Sequence, residues 1–497
     1  MSYSMRNFTS TQAELGENPL LGVTPIEQVR LDTYCRDEIT KTLRGLQEIY
    51  RNKVLLKEIQ DVLSELVPKG TSWNDGRKGM DLWVIFVLGT LRLSCNWDYD
   101  KLKSCYDYHH KIREICGVDF FCDVDIVTGR QTIHDNVSLF TKEIANKISK
   151  LVVASSHELL FPEERELHSR CDSFVFETNV HFPTDLNLLK DSVRKVLSIG
   201  GKLASSLKIT GWREVKSQQK KFHSLYNKLS KMRHSNSKKE ERKEKRRLEI
   251  EEVIKDYLSV ARAHLLKART LQNSLDEEYP KLQLNMDYTD LFIKQISRRV
   301  LNGETISPDE KVYSIFEPHT EWICKGKAGI RQELGVKVCV VEDQFGFILD
   351  HRIMKGEQDK DVAVEMVRKS KELYPGLTSM SFDKGFYSKV DKDGQNNHSR
   401  IEALEVRAHL PVKGRRNKAA QERESKEAFV VARKQHPAVE SAINALESHG
   451  FDRCPDKGTP NFERYAAMAI SASNIHHLGA IIMAREIKVL RRKRKSA

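Results

Sequence analysis

Along 27–66 the apolar positions of EQVRLDTYCRDEITKTLRGLQEIYRNKVLLKEIQDVLSEL return every three or four residues, and the pattern stops at PKGTSWNDG. That spacing predicts helix followed by a breaker. A second helical block spans 77–154 and closes with TGRQTIHDNVSLFTKEIANKISKLV, where Thr128 or Gly129 caps a helix led by Arg130, Gln131 and Thr132. The period then changes. CDSFVFETNVHFPTD at 171–185 is β-branched and aromatic with alternating character and ends in a Pro-Thr-Asp turn, which predicts a strand opened by Asp172. From 186 to 300 the pattern is helical again, as paired or coiled helices, with RHSNSKKEERKEKRRLE as an exposed tip.

Strands resume at 335–354, where GVKVCVVEDQFGFILDHRIM holds two runs about EDQFG, the mark of a hairpin. A helix over 359–373 is stopped by YPG. A strand ending SMSF then delivers Asp383 to the carboxyl edge of a sheet, and LEVRAHLPVK at 404–413 supplies another strand. HPAVESAINALESHG forms a helix with Pro437 at its start and Gly450 just past its end. Val439, Ile443 and Leu446 make its buried stripe and Glu440, Asn444 and Glu447 the next one, so Glu440 borders the packed face. The order of elements implies an α/β domain with mixed strand directions, interrupted by a helical insertion and preceded by an all-α region.

A chain of 497 residues with 39% hydrophobic and 31% charged residues is long enough for several cores and carries charge to spare for a partner. Residues 216–247 hold 13 Lys/Arg against 3 Glu and 485–495 hold 7 against one Glu; these stretches are net +10 and +6, whereas the remainder of a chain of formal charge +13 stands at about −3. Concentrated basic segments favour nucleic acid as the partner. The nine cysteines form no CxxC pair and no zinc spacing, so they are expected to be reduced. The N-terminus lacks a secretion pattern, and the apolar run LWVIFVLGTL at 82–91 is shorter than the roughly 20 residues of a membrane span. No membrane partner is expected, and a cytoplasmic location is.

Asp172, Asp383 and Glu440 are the candidate chemistry. If the strands bearing the first two are neighbours, three carboxylates converge, and their mutual repulsion calls for cationic countercharge. Hard oxygen donors with open positions suit Mg²⁺ or Mn²⁺, and two such ions suit the cleavage of a phosphodiester.

CDSFVFETNVHFPTD, SFDKGFYS and HPAVESAINALESHGFDRCPDKGTPNFERYAAMAISASNIHHLG, with SIFEPHTEWICKGKAG at 314–329, resemble the signature blocks of bacterial insertion-sequence transposases of the Asp-Asp-Glu class, in the group called ISNCY. The resemblance implies a ribonuclease H-like catalytic domain with the first acid on the first strand, the second ending the fourth, and the Glu on a later helix. Asp172, Asp383 and Glu440 match those positions as catalytic and metal-binding residues for two Mg²⁺ or Mn²⁺ ions. It further implies double-stranded DNA as partner, both terminal inverted repeats and target, a homo-oligomer (dimer) on paired ends, and a bacterial, nucleoid-associated setting. Arg130, Gln131, Lys325, Lys327, Lys384 and Arg453 are the candidate DNA contacts.

The expected organisation is an N-terminal helical region (1–70), a helix-turn-helix-like DNA-binding domain (71–165), a catalytic domain (166–186 and 301–480), a basic helical insertion (187–300) and a basic tail (481–497). One departure stands out: many relatives carry Lys or Arg seven residues after the catalytic Glu, and here that residue is Glu447, leaving His449 or Arg453 to substitute. It motivates two alternatives, a catalytically impaired transposase-derived DNA-binding protein and a ribonuclease H-like host nuclease.

Overall fold

The computed structural model describes residues 4–5, 24–67, 77–118, 128–232, 239–275, 277–324 and 332–496. The predicted N-terminal helices are α1 (Ile39–Arg51), α2 (Lys53–Ser64), α3 (Leu82–Ser94), α4 (Tyr99–Tyr108), α5 (His110–Ile115), α6 (Arg130–Val137) and α7 (Lys142–Leu160). Three of the long ones, α2, α3 and α7, start where a polar side chain closes the first turn. The Asn52 side chain accepts from Leu55 N, Asp81 from Trp83 N and Val84 N, and Thr141 from Ile144 N, which satisfies amides that have no partner within the helix. The apolar run at 82–91 forms α3, which is buried along its whole length and is a core helix.

Four further helices follow: α8 (Asp185–Ser206), α9 (Val215–Lys231), α10 (Glu240–Asn273) and α11 (Pro280–Ile296). They close around their own core, which includes Leu189, Val196, Phe222, Tyr257 and Phe292. Phe222 stacks on Tyr257, with ring centroids 4.5 Å apart, and the Tyr257 hydroxyl donates to Leu186 O at 3.0 Å.

The sheet is built from β1 (Leu167–Thr178), β2 (Gln332–Asp343), β3 (Ile348–Met354), β4 (Leu377–Phe382) and β5 (Arg407–His409). Across it the order is β3-β2-β1-β4-β5, with β2 antiparallel to β1 and β3, and β4 parallel to β1 and β5. Two short strands, Glu321–Cys324 beside β2 and Arg453–Cys454 beside β1, make it a seven-stranded mixed sheet. The predicted hairpin is β2–β3. Its turn is fixed by buried Asp343, whose Oδ1 accepts from Phe345 N and Phe347 N, both at 2.9 Å, while His157 of α7 meets its Oδ2 at 2.6 Å.

After β3 come α12 (Asp359–Leu373), α13 (Asn397–Glu402), α14 (Lys418–Ser425), α15 (Glu427–Gln435), α16 (Ala438–Leu446) and α17 (Thr459–Ser496). The last packs on α1, α3 and α7. Where α17 crosses α1 there is room only for glycine. A Cβ on Gly479 would lie 1.9 Å from Lys41 O, and one on Gly45 would lie 2.1 Å from Ile475 O. By length and composition α17 could cross a membrane, but 72% of its apolar window is buried inside the protein.

Three expectations change. Asp172 does not open its strand but lies within a 12-residue one that begins at Leu167. The chain divides into two units, Met1–Asn179 with Gly335–Ala497 and Val180–Leu334, so the helices assigned to 1–70 and 71–165 share a core with the sheet, and 301–334 goes with the insertion. The basic residues of 485–495 are the last turns of α17, not a separate tail, because nothing in 459–496 breaks the helix.

Candidate active site

Strand register decides whether the acids meet. Cys171 pairs with Phe382 across the parallel β1–β4 ladder, so Asp172 and Asp383, each one residue further on, lie side by side on the sheet's other face. Asp383 stays extended, with φ −78° and ψ 166°, before the chain turns away through Lys384–Phe386. The end of β4 is held from outside the sheet: Arg433 of α15 donates through Nη1 to Phe382 O at 2.8 Å. Beside it, buried His436 meets Ser381 Oγ through Nδ1 at 3.0 Å, and burial followed by the nearby Arg433 charge pushes its pKa down to about 4.

The face that carries Asp172 also carries Phe174 and Phe176, which pack on Phe451 just beyond α16. This brings α16 over the acids. Val439, Ile443 and Leu446 are buried as the pattern predicts, and Glu440 stays exposed at the edge of that contact. Beyond Cys171, β1 has no β4 partner, and Arg453–Cys454 takes up pairing only at Glu177 and Thr178. Among the described residues, 172–176 therefore lack a strand on that edge, and Asp172 stands at the end of the gap.

A fourth carboxylate lies near Asp172, on the opposite face of β1, and its charge reaches Asp172. Asp359 opens α12, where the helix dipole favours a negative charge. Its Oδ1 accepts from Ser173 Oγ at 2.7 Å and takes an ion pair from Lys337 Nζ at 3.4 Å. Gly385 lets the chain pass close to it, because a Cβ there would lie 2.9 Å from Asp359 Oδ2. Sequence reasoning took Asp359 only as the start of a helix. An acid beginning a helix just after a hairpin was the one local signal, and it is common.

The electrostatics follow from this crowding. Burial raises the Asp172 pKa to about 6; a hydrogen bond from Ser173 N opposes the rise, and the charges of Asp383, Asp359 and Glu440 add to it. The charges of the other two acids picked from the sequence thus reach Asp172. As they stand, no three of the described His, Cys, Asp and Glu side chains form a group that could hold a metal ion. Like charges keep apart without a cation between them, and exposed Glu440 and Asp383 have the rotamer freedom to close. The donor set is all carboxylate oxygen, which fits a hard divalent ion.

The proposed DNA contacts divide. Lys384 is exposed next to Asp383. Arg130 pairs with Asp100 at 2.8 Å, and Gln131 Nε2 donates to Asp135 at 2.7 Å. Arg453 is held by Glu177 at 2.7 Å. Lys325 and Lys327 lie outside the described residues. Of the two groups expected to replace a cation at position 447, His449 is bonded through Nδ1 to Ser94 O and Arg453 is in its Glu177 pair, so neither stands free.

Comparison with protein-family models, curated proteins and solved structures gave no match.

Proposed function

We propose that the protein is a DNA transposase of the Asp-Asp-Glu class with a ribonuclease H-like catalytic core. The observation that carries this reading is the β1–β4 register, which sets Asp172 beside Asp383 under a helix bearing Glu440. The chain order supports it as well: the first acid lies on β1, the second directly follows β4, which is the fourth strand once the short Glu321–Cys324 strand is set aside, and the Glu lies on a later helix. In this reading Asp172, Asp383 and Glu440 hold two Mg²⁺ or Mn²⁺ ions, which when bound supply countercharge and activate the attacking oxygen. Arg433 and His436 keep the Asp383 backbone in place, and Asp359 with Lys337 braces β1 through Ser173. Lys384 offers a cation to the phosphate that reaches the acids.

Strand cleavage at an element end and joining of the freed 3′ hydroxyl to target DNA are the two activities expected. The experiment is Mg²⁺-dependent nicking of a labelled duplex that carries the inverted repeat flanking the coding region. Wild type should cut, and Asp383→Ala should lose cutting by at least about 100-fold, as loss of one group that stabilises the transition state does, while still binding the duplex. Normal cutting by Asp383→Ala would remove the assignment.

A second reading, a DNA-binding protein with impaired catalysis, draws on Glu447 and on the engagement of His449 and Arg453. Binding to the repeat without any nicking by wild type would favour it. Nicking without strand joining would favour a ribonuclease H-like nuclease.

A further inference from the structure

The basic stretch 216–247 is not uniform in its compensation. In α10 three of the cations are taken by acids of the same helix: Lys243 by Glu240 at 2.7 Å, Arg246 by Glu249 at 2.9 Å, and Arg247 by Glu244 at 2.6 Å and Glu251 at 3.5 Å. Helix α9, VKSQQKKFHSLYNKLSK, has no acid at all. Its Lys216, Lys220, Lys221, Lys228 and Lys231 are exposed and form no ion pair among the described residues.

Helical spacing turns three of these lysines into a row. Lys216, Lys220 and Lys231 fall at i, i+4 and i+15 on one face, with Asn227 at i+11 between them, over a length of about 22 Å. Next to the row a groove of ≈ 450 Å³ runs between α8 and α9, and Lys190, Arg194, Lys216, Lys220 and His223 are among its lining residues. One acid lines it. Buried Asp191 is shared by His181 at 3.2 Å, Arg194 at 3.7 Å and Lys190 at 3.9 Å, so the surface remains strongly positive. Lys190 also lies over the Tyr226 ring, 4.4 Å from its centroid.

We infer that the α8–α9 face of the insertion binds the phosphate backbone of duplex DNA, and that the ion-paired cations Lys243, Arg246 and Arg247 of α10 do not. A stretch of duplex as long as the lysine row carries about a dozen phosphate charges, and lysines with no acid partner release counterions on meeting them. Lys243, Arg246 and Arg247 of α10 gain less, because each must first leave a carboxylate. The inference deepens the DNA-handling role proposed above and rests on it for the choice of partner.

The test is the salt dependence of binding by the full-length protein to a labelled duplex, read by fluorescence anisotropy in EDTA so that no cleavage intervenes. For Lys216→Ala/Lys220→Ala, the slope of log K against log salt should fall in magnitude by about 2, close to one per lost phosphate contact. For Lys243→Ala/Arg247→Ala it should fall by less than half as much. All four positions are exposed on helices that accept alanine, and circular dichroism checks that the helices persist. An unchanged slope in the α9 pair, or an equal fall in the α10 pair, overturns the inference. Displacement of the duplex by poly-glutamate at matched charge also overturns it and points to an acidic protein. Wild type that binds with the expected slope but never nicks in Mg²⁺ leaves this inference standing and removes the catalytic one.

Discussion

At the scale of the residue, Asp172 concentrates the electrostatic strain of the site. An ordinary aspartate ionises near 3.8, and this one ionises near 6 because it is buried and faces other acids. Between those values the folded protein holds a proton that the unfolded chain has lost. The contribution of Asp172 to stability is therefore greatest below the lower value and is lost as pH rises through the upper one, by about 3 kcal/mol in total. A divalent cation among the carboxylates would offset that loss. Mn²⁺ should raise the melting temperature at about pH 8, and the rise should shrink as the pH falls below about 6 and disappear in Asp172→Asn; an equal rise at about pH 5 would contradict it. The elements that carry Asp172, Asp383 and Glu440 were legible in the sequence because each sits in a local pattern of strand or helix, although the pattern placed Asp172 at the start of a strand that begins at Leu167. Asp359 was not, since its tie to Ser173 bridges 186 residues and nothing local announces it. The pairing of Arg453 with Glu177 was equally hidden, because it depends on a strand too short to leave a pattern.

At the scale of the element, pattern served well where one face is buried and turn chemistry is explicit. The helix over Asp359–Leu373 and the β2–β3 hairpin fall where periodicity and EDQFG put them, and Asp343 explains the turn. Pattern failed at α17. Its middle, from Ala466 to Ala480, is mostly small and apolar and its end is basic, so the change of composition looked like a boundary, yet one helix runs through both. The basic end is anchored too, since Arg485 donates to Leu160 O at 2.6 Å and Glu486 pairs with Arg44 at 2.9 Å. The α1–α17 crossing yields a prediction whose sign is informative. Alanine in place of glycine inside a helix ordinarily stabilises by up to about 1 kcal/mol. Gly479→Ala should instead destabilise by about 1–3 kcal/mol or more, because its Cβ meets a backbone carbonyl that cannot step aside. A thermal melt decides it, and an unchanged or higher midpoint would show that the helices can separate at no cost.

At the scale of the whole molecule, the insertion leaves and re-enters the sheet at neighbouring points. Glu177 near the end of β1 pairs with Gly335 in β2, so residues 180–334 form the connection between two strands of an antiparallel pair. Closing a long connection costs little more than closing a short one, and the unit has its own core, so it leaves the β1–β4 register intact. The sequence revealed the insertion through its change of period, but not that the N-terminal helices and the sheet share one core, which is set by contacts with α17 from the far end of the chain.

The claim underlying the functional account is that one face of this sheet gathers oxygens from β1, β4 and α16 around divalent cations. The most direct measurement is a crystal of the protein grown with Mn²⁺, with anomalous data collected at the manganese edge. The account predicts a peak bounded by Asp172 and Asp383, with carboxylate oxygens about 2.1 Å away and the Glu440 side chain turned in to join them. Ordered Asp172 and Asp383 side chains with no peak between them, or manganese bound only elsewhere, would contradict it.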